Sequence, residues 1–166
     1  MSDCTQEQPG GESTRPHVRV EILSQARYLA GTRELVAAVA RRLGFDEGAC
    51  SQIALAVDEA LCNIIRHGYD KAADKPIWIS IWPLNESDEE NAGGIRIVLE
   101  DRAKHIDPEQ IRGRELDDIR PGGLGVYIIR NVMDEVIFEK RDGGGMRLTL
   151  TKQIAAAEPR TSSAAG

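Results

Sequence analysis

Residues 46–68 read DEGACSQIALAVDEALCNIIRHG and predict a long helix that buries one face. Asp46 is suited to cap the N-terminus of this helix and Gly68 is suited to end it, which gives a span from about Glu47 to His67. Apolar residues recur between these ends at helical spacing, so one side should pack against other elements. The predicted apolar face consists of Ile53, Val57, Ala60, Leu61 and Ile64.

The chain before this helix predicts one strand and one further helix. Residues 18–22 alternate between apolar and polar side chains, which is the period of a half-buried strand. From Gln25 to Leu43 apolar residues mostly repeat at helical spacing, and Gly44 follows at a position typical of a helix end. The fold therefore opens in the order β-α-α.

The chain after the helix predicts four more strands and one short helix. Two strands are expected at 77–82 and 95–99, joined by a polar connection. A glycine-rich segment then leads into a short helix, and a hairpin with strands near 136–138 and 146–150 closes the domain. The apolar positions of the short helix are Val126, Ile129, Val132 and Met133.

This order of elements does not alternate strand with helix, which disfavours a doubly wound sheet. We expect an α+β fold, a two-layer α/β sandwich in which a mixed, mostly antiparallel sheet carries its helices on one face. Such a sandwich leaves room for a pocket between its layers. The domain should cover residues 17–153, because segments 1–16 and 154–166 can bury little apolar surface and are expected to be flexible tails.

Composition excludes several classes of function. The chain has 166 residues with 21 basic and 27 acidic side chains, a formal charge of -6, so a nonspecific binder of nucleic acid or anionic membrane is disfavoured. Three cysteines without a CxxC pair argue against a disulfide scaffold and against a zinc site. Neither a signal peptide nor a stretch of ~20 apolar residues is evident, so a cytoplasmic location is expected.

Segment 58–67, DEALCNIIRH, is the first of three candidates for chemistry. Glu59, Asn63 and His67 follow one another at i, i+4 spacing and would form a polar stripe, with Leu61 and Ile64 pointing elsewhere. The amide oxygen of Asn63 suits Mg²⁺, and a carboxylate one turn away suits orientation or deprotonation of a hydroxyl. The alternative is a solvated helix face, on which His67 interacts with the last carbonyls of the helix.

Segment 99–108, LEDRAKHIDP, is the second candidate. An Asp at the end of a buried strand, here Asp101, can accept a hydrogen bond from the exocyclic amine of adenine, and such a contact is highly selective for the base. The alternative is a turn residue that is followed by a second loop signal at Asp107-Pro108.

Segment 121–130, PGGLGVYIIR, is the third candidate. Glycines that lead into a helix expose backbone N–H groups, which can hold a phosphate without any net positive charge. The alternative is a flexible turn. The glycine pattern matches neither the P-loop nor the Rossmann fingerprint, so two common nucleotide-binding folds are disfavoured.

Together, the three segments resemble the Bergerat-fold ATPases of the GHKL superfamily, and most closely their bacterial anti-sigma-factor serine-protein kinases. The resemblance extends from about Val18 to Lys152 and implies the Bergerat ATP-binding fold. Its most specific parts are Asp58-Glu59-Ala60 with Asn63 and His67-Gly68-Tyr69, the block 101–108, and Gly122-Gly123-Leu124-Gly125 followed by Met133-Asp134-Glu135-Val136.

The resemblance implies a role for each matching residue. Asn63 matches the residue that holds Mg²⁺ at the ATP phosphates, and Glu59 matches the proposed base toward a serine hydroxyl. Asp101 matches the residue that contacts adenine, and Glu109–Arg120 would form a lid over ATP. The other nucleotide-binding matches are Ala103, Asp107, Arg120, Gly122, Gly123, Leu124 and Gly125.

Two positions depart from the family pattern. The usual Asp-x-Gly after the adenine-contacting strand is Asp101-Arg102-Ala103 here, which adds a methyl group near the base. The usual Gly-Thr of the last hairpin is Gly145-Met146 here, which removes a hydroxyl. Both departures imply weaker binding of ATP.

The resemblance implies an ATP- and Mg²⁺-dependent serine-protein kinase that acts as an anti-sigma factor. Such a homodimer sequesters a sigma factor and phosphorylates a STAS-domain anti-anti-sigma antagonist, without contacting nucleic acid or a membrane. The two departures leave open a non-catalytic module that senses ATP and sequesters a transcription regulator. The catalytic half of a histidine kinase ranks last, because too little sequence precedes Val18 for a phosphoacceptor helix pair.

Overall fold

The computed structural model describes residues 15–84, 93–103 and 124–154, and it confirms the predicted order of elements. Within these residues, one strand and two long helices come first, and four strands and one short helix follow. The elements are β1 (Val18–Leu23), α1 (Leu29–Arg42), α2 (Glu47–Asn63), β2 (Pro76–Leu84), β3 (Gly94–Glu100), α3 (Leu124–Val132), β4 (Glu135–Lys140) and β5 (Met146–Gln153).

The five strands form one sheet in the order β1-β2-β3-β5-β4. Each of the four pairings is antiparallel, so the sheet lacks, among the described strands, the parallel pair that a mixed sheet requires. The predicted α+β sandwich is confirmed. Because β5 lies between β3 and β4, the turn that joins β4 to β5 lies beside the end of β3.

The two faces of the sheet differ sharply in composition. Residues that pair across the strands share a face, so Val20, Ile79, Leu99, Leu148 and Phe138 all lie on one side. Apolar residues of this inner face share a single buried cluster with the helices, which therefore cover it as predicted. The opposite, outer face carries Trp78, Ser80, Trp82, Arg96, Glu100 and Arg147.

The first helix begins later than the sequence predicts. Residues Ala26–Tyr28 form a 3₁₀ turn, and the α-helix starts only at Leu29. Its end is as predicted: Gly44 has a φ of 101°, donates to the carbonyl of Arg41 at 3.1 Å, and is followed by Phe45, which donates to Ala40 at 3.2 Å. These two bonds form a Schellman motif, which explains the glycine.

The second helix has the predicted start and an unexpected end. The Asp46 carboxylate accepts a hydrogen bond from the backbone of Ala49 at 2.7 Å, which confirms the N-cap. After Asn63 the chain continues as a π turn over Ile64–Gly68. The wider turn changes the side chain that enters the core, so Ile65 is buried whereas Ile64 is only partly buried.

The helical segment ends at Gly68, as predicted, but Gly68 itself has no positive φ. The left-handed residues that reverse the chain are Asp70 and Lys71, with φ values of 47° and 63°. Gly68 is instead required for close packing, because a Cβ at this position would lie 3.0 Å from the Cβ of Ala103.

The continuous helical segment Glu47–Gly68 is, in the described part of the chain, the one segment long and apolar enough to cross a membrane. It meets this criterion by length and mean composition only, since polar residues such as Gln52, Asp58 and Asn63 interrupt its apolar run. Half of its most apolar window is buried inside the fold. Its buried side chains belong to the shared core, as expected for the core helix of a soluble protein fold.

Candidate functional site

Helices α2 and α3 meet at a glycine. Gly125, the second residue of α3, is buried, and a Cβ there would lie 2.7 Å from Oε2 of Glu59. The same Cβ would lie 3.3 Å from Nδ2 of Asn63. The backbone at the start of α3 therefore lies directly against the two polar side chains of α2. The side chain of any residue other than glycine at position 125 would collide with them.

The polar stripe of α2 ends at Asn63. The π turn changes the phase of the helix, so His67 is exposed and does not continue the stripe. Gly68 lines the adjacent pocket in its place. The prediction that Ile64 points away from this side was also wrong, because Ile64 lines the same pocket as Asn63.

The pocket lies between the end of α2 and the inner face of the sheet. Among the described residues, Asn63 and Asp101 are its polar lining, and the rest of the described lining is apolar or glycine. A flat, largely apolar ligand with one hydrogen-bond donor suits such a lining. The lining residues are Asn63, Ile64, Gly68, Leu99, Asp101, Ala103, Phe138, Met146 and Leu148.

Asp101 is the buried acid of this pocket, with only 3% of its surface exposed. Its Oδ1 accepts hydrogen bonds from the backbone of Ala103 at 2.8 Å and of Met146 at 3.1 Å. Burial raises the pKa of Asp101, and the two amides together with the Arg141 guanidinium oppose that rise. Because both described bonds go to Oδ1, the orientation of the carboxylate is fixed.

The backbone that carries Asp101 is held from two sides. Its N–H donates to Met146 O at 3.1 Å, and its carbonyl accepts from Nη1 of Arg141 at 2.7 Å. The next amide, that of Arg102, donates to the Tyr69 hydroxyl at 2.7 Å, which itself donates to Pro76 O at 2.5 Å. Burial raises the pKa of Tyr69, which keeps the hydroxyl protonated.

The two departures from the family pattern each have a structural counterpart. The methyl group of Ala103 is buried and faces Gly68, whose missing side chain gives it room. Met146 lines the pocket and uses its backbone, not its side chain, to bind Asp101. Gly145 has a φ of 97°, and a Cβ there would lie 2.0 Å from the carbonyl oxygen of Asp101, so this glycine allows the hairpin turn to contact Asp101.

Several predicted residues lie outside the described part of the chain. They include the lid 109–120 and the residues Asp107, Arg120, Gly122 and Gly123. Leu124 is described and begins α3, where its side chain is 58% exposed. The structure therefore brings Glu59 and Gly125 together with Asn63, which lines the pocket together with Asp101 and Ala103.

Sequence reasoning missed three contributors to the site. Tyr69 was noted only as part of a motif, Phe138 only as a strand residue, and Arg141 not at all. Alternation along the last hairpin could have indicated Phe138, because it shares the inner face with Leu148. The motif residue Asp134 has a structural role, since its carboxylate accepts from the backbone of Gln153 at 2.7 Å.

A metal ion at this site would depend on few protein ligands. The described residues contain no group of three or more His, Cys, Asp and Glu that could hold a metal. Asn63 and Glu59 supply hard oxygen atoms next to Gly125, which fits a Mg²⁺ ion that takes most of its ligands from phosphate and water.

A second cavity, of about 320 Å³, lies between α1 and the β1–β2 part of the sheet. It is lined mainly by apolar side chains, including Val39, Leu43 and Ile81, and none of the predicted site residues that the structure describes lines it. We therefore place the candidate site at the pocket of Asp101.

Residues 22–152 match the histidine kinase-like ATPase domain family. Curated relatives include several proteins called Serine-protein kinase RsbW. The protein from Staphylococcus epidermidis is 27% identical over 140 residues, covering 80% of this chain and 84% of that protein. The protein from Oceanobacillus iheyensis is 26% identical over 160 residues (88% and 92%), and that from Listeria innocua is 26% identical over 139 residues (82% and 87%).

Two solved structures support the fold. The RsbU and RsbW domains of Rv1364c from Mycobacterium tuberculosis align with a TM-score of 0.52 at 17% identity, covering 83% of this chain and 33% of that one. The histidine kinase domain of the blue-light activated kinase EL346 from Erythrobacter litoralis aligns with a TM-score of 0.50 at 17% identity, covering 76% and 59%. At these identities the likeness concerns the fold alone.

Proposed function

Since the chain belongs to the histidine kinase-like ATPase domain family, we propose that it is a protein kinase that transfers the γ-phosphoryl group of ATP to a serine of a partner protein. The observation that carries this proposal is the contact of Gly125 with Glu59 and Asn63 beside the pocket of Asp101. One end of that pocket suits an adenine ring, and the other suits phosphates and a hydroxyl.

The adenine end is formed by Asp101 and the apolar lining. The exocyclic amine of adenine is a donor, and the buried, oriented carboxylate of Asp101 is the matching acceptor. Leu99, Phe138 and Leu148 supply apolar surface for the ring. Guanine presents a carbonyl oxygen in place of the amine, so the same carboxylate would reject it.

The phosphate end is formed by α2 and the first turn of α3. Backbone N–H groups at a helix N-terminus attract anions, and Gly125 keeps this backbone free of side chain. Asn63 offers its amide oxygen to Mg²⁺, which when bound neutralises charge on the phosphates. To Glu59, one turn earlier on α2, the proposal assigns the role of orienting a serine hydroxyl and accepting its proton.

The relatives named Serine-protein kinase RsbW support a regulatory role for this kinase. We propose that it is a cytoplasmic anti-sigma factor that acts as a homodimer, sequesters a sigma factor and phosphorylates a STAS-domain anti-anti-sigma protein on serine. The non-catalytic alternative rested on Ala103 and Met146. Their contacts weaken it, because the Ala103 methyl faces Gly68 and the Met146 amide binds Asp101.

Phosphate transfer to a co-purified partner tests the proposal. Tagged protein is used to isolate its partners, which are identified by mass spectrometry and then incubated with the kinase, Mg²⁺ and ATP labelled at the γ-phosphate. We expect label on a serine of a STAS-domain protein and no label when Mg²⁺ is chelated. ATP binding without transfer to any co-purified partner would favour the non-catalytic module.

Gly125→Ala is expected to lower the rate of phosphate transfer by about 100-fold while the protein stays folded. The added methyl would meet the carboxylate of Glu59 at 2.7 Å, and this flexible group moves more easily than the helix backbone. The measurement is kcat for serine phosphorylation, with thermal unfolding as the check on folding.

Gly31→Ala is the matched control for Gly125→Ala. Gly31 lies inside α1 with open space around its hypothetical Cβ, so the substitution should leave kcat unchanged. It should also stabilise the fold by up to about 1 kcal/mol, because a helix favours alanine over glycine. Equal values of kcat for wild type and Gly125→Ala would show that the close contact between Gly125 and Glu59 is not needed for phosphate transfer.

A further inference from the structure

A stack of one tryptophan and two arginines covers the outer face of the sheet behind the pocket. The guanidinium carbons of Arg102 and Arg141 lie 5.1 and 5.0 Å from the ring centroid of Trp78. The indole N–H of Trp78 donates to Oε2 of Glu21 at 2.8 Å, which fixes the ring. We refer to Trp78, Arg102 and Arg141 as the outer stack.

Arg141 is the member of the outer stack that reaches the site. Its Nη1 donates to the carbonyl of Asp101 at 2.7 Å, while its Nε lies 3.2 Å from Oε1 of Glu100. Its side chain is only 22% exposed. The guanidinium is thus held in one orientation by the Trp78 ring, by a carboxylate and by the carbonyl of Asp101.

The hairpin turn that carries Arg141 is itself built against Asp101. The amide of Arg141 donates to Gly145 O at 3.0 Å, which closes the turn. Gly145 in turn contacts the Asp101 carbonyl so closely that a side chain would not fit. Arg141 therefore adds a charged donor to a carbonyl that already lies in close contact with the turn.

We propose that Arg141 is a positioning residue: by binding the Asp101 carbonyl it holds the main chain from which the carboxylate, itself oriented by two backbone amides, selects adenine over guanine. The inference rests on the proposed function and deepens it, because it assigns base selectivity to a residue on the opposite face of the sheet. Arg141 acts through the main chain of Asp101. Its guanidinium offers several donors in a fixed plane, so lysine can replace it only in part.

The test compares binding of ATP and GTP, each with Mg²⁺, to four full-length proteins by calorimetry. Arg141→Met keeps a long stem against Trp78 but cannot donate to Asp101 O. Arg141→Lys keeps one donor. Arg147→Met is the matched control, because Arg147 pairs with Glu100 at 3.0 Å on the same face.

We expect Arg141→Met to weaken ATP binding about tenfold, as for the loss of a hydrogen bond from a charged group, and to leave GTP binding within about twofold. The ratio of the two affinities should fall about tenfold, with Arg141→Lys intermediate and Arg147→Met unchanged. In the phosphorylation assay, KM for ATP should rise about tenfold, and kcat at saturating ATP should stay within about twofold.

Equal weakening of ATP and GTP, or an ATP preference that survives both Arg141 variants, would overturn the inference while leaving the proposed kinase intact. A wild-type protein that binds neither nucleotide would overturn the proposed function as well. If Arg141→Met does not fold, Arg141→Lys decides: an ATP-to-GTP ratio equal to that of wild type counts against the inference, and a ratio reduced about threefold supports it.

Discussion

Glu59→Gln is expected to lower kcat for serine phosphorylation by about 10²–10⁴-fold while the Kd for ATP changes less than about threefold. Glutamine keeps the shape and the hydrogen-bonding oxygen of Glu59 but cannot accept the proton of the attacking hydroxyl. Its neighbours Asn63 and Gly125 remain in place, so binding of the phosphates should be retained. The measurement pairs single-turnover phosphate transfer with calorimetric titration of ATP.

Asp58→Asn is the matched control for Glu59→Gln. Asp58 precedes Glu59 on α2 but turns toward α1, where its Oδ2 lies 3.6 Å from Nη1 of Arg33. Removing this charge should change kcat less than about threefold, since Asp58 does not contact Gly125. If Glu59→Gln transferred phosphate as fast as Asp58→Asn, the base role of Glu59 would be lost, although the binding roles of Asn63 and Asp101 would stand.

The sequence was sufficient where a local rule governs the structure. The N-cap at Asp46 and the Schellman glycine Gly44 follow from bonds within four or five residues of the chain. The π turn after Asn63 does not follow from such rules. It depends on which side chain enters the core, here Ile65. It also depends on the packing of Gly68 against Ala103, a residue 35 positions later in the chain (103 minus 68).

The candidate site was predictable only in part for the same reason. Periodicity placed Glu59 and Asn63 on one stripe of α2, but their contact with Gly125 joins elements that are far apart in sequence. Only the family resemblance linked them. Arg141 carried no signal, because a residue next to Asp-Gly indicates a turn and nothing more. Its contact with Asp101 arises from the strand order, which places β5 beside β3 and pairs Glu100 with Arg147.

Asp101→Asn is expected to weaken ATP binding by about 10²–10³-fold without destabilising the fold. The asparagine oxygen can still accept from Ala103 and Met146, but the atom left for the base is then an NH₂ group. Two donors would face each other where wild type pairs a donor with an acceptor. Asp74→Asn is the control, because its side chain is 77% exposed and it should change neither property.

The stability of Asp101→Asn without nucleotide should depend on pH in a defined direction. Burial raises the pKa of Asp101 in the folded protein, so its contribution to stability is present below the unfolded pKa and is lost as pH rises through the folded pKa. Asparagine carries no titrating proton and avoids this loss. The free energy of unfolding of the variant should therefore rise relative to that of wild type as pH rises through that range. Urea unfolding from pH 4 to 8 measures the difference. If Asp101→Asn unfolded more readily than wild type at neutral pH, the predicted cost of the buried charge would be contradicted. If the variant still preferred ATP, the predicted contact with adenine would be contradicted.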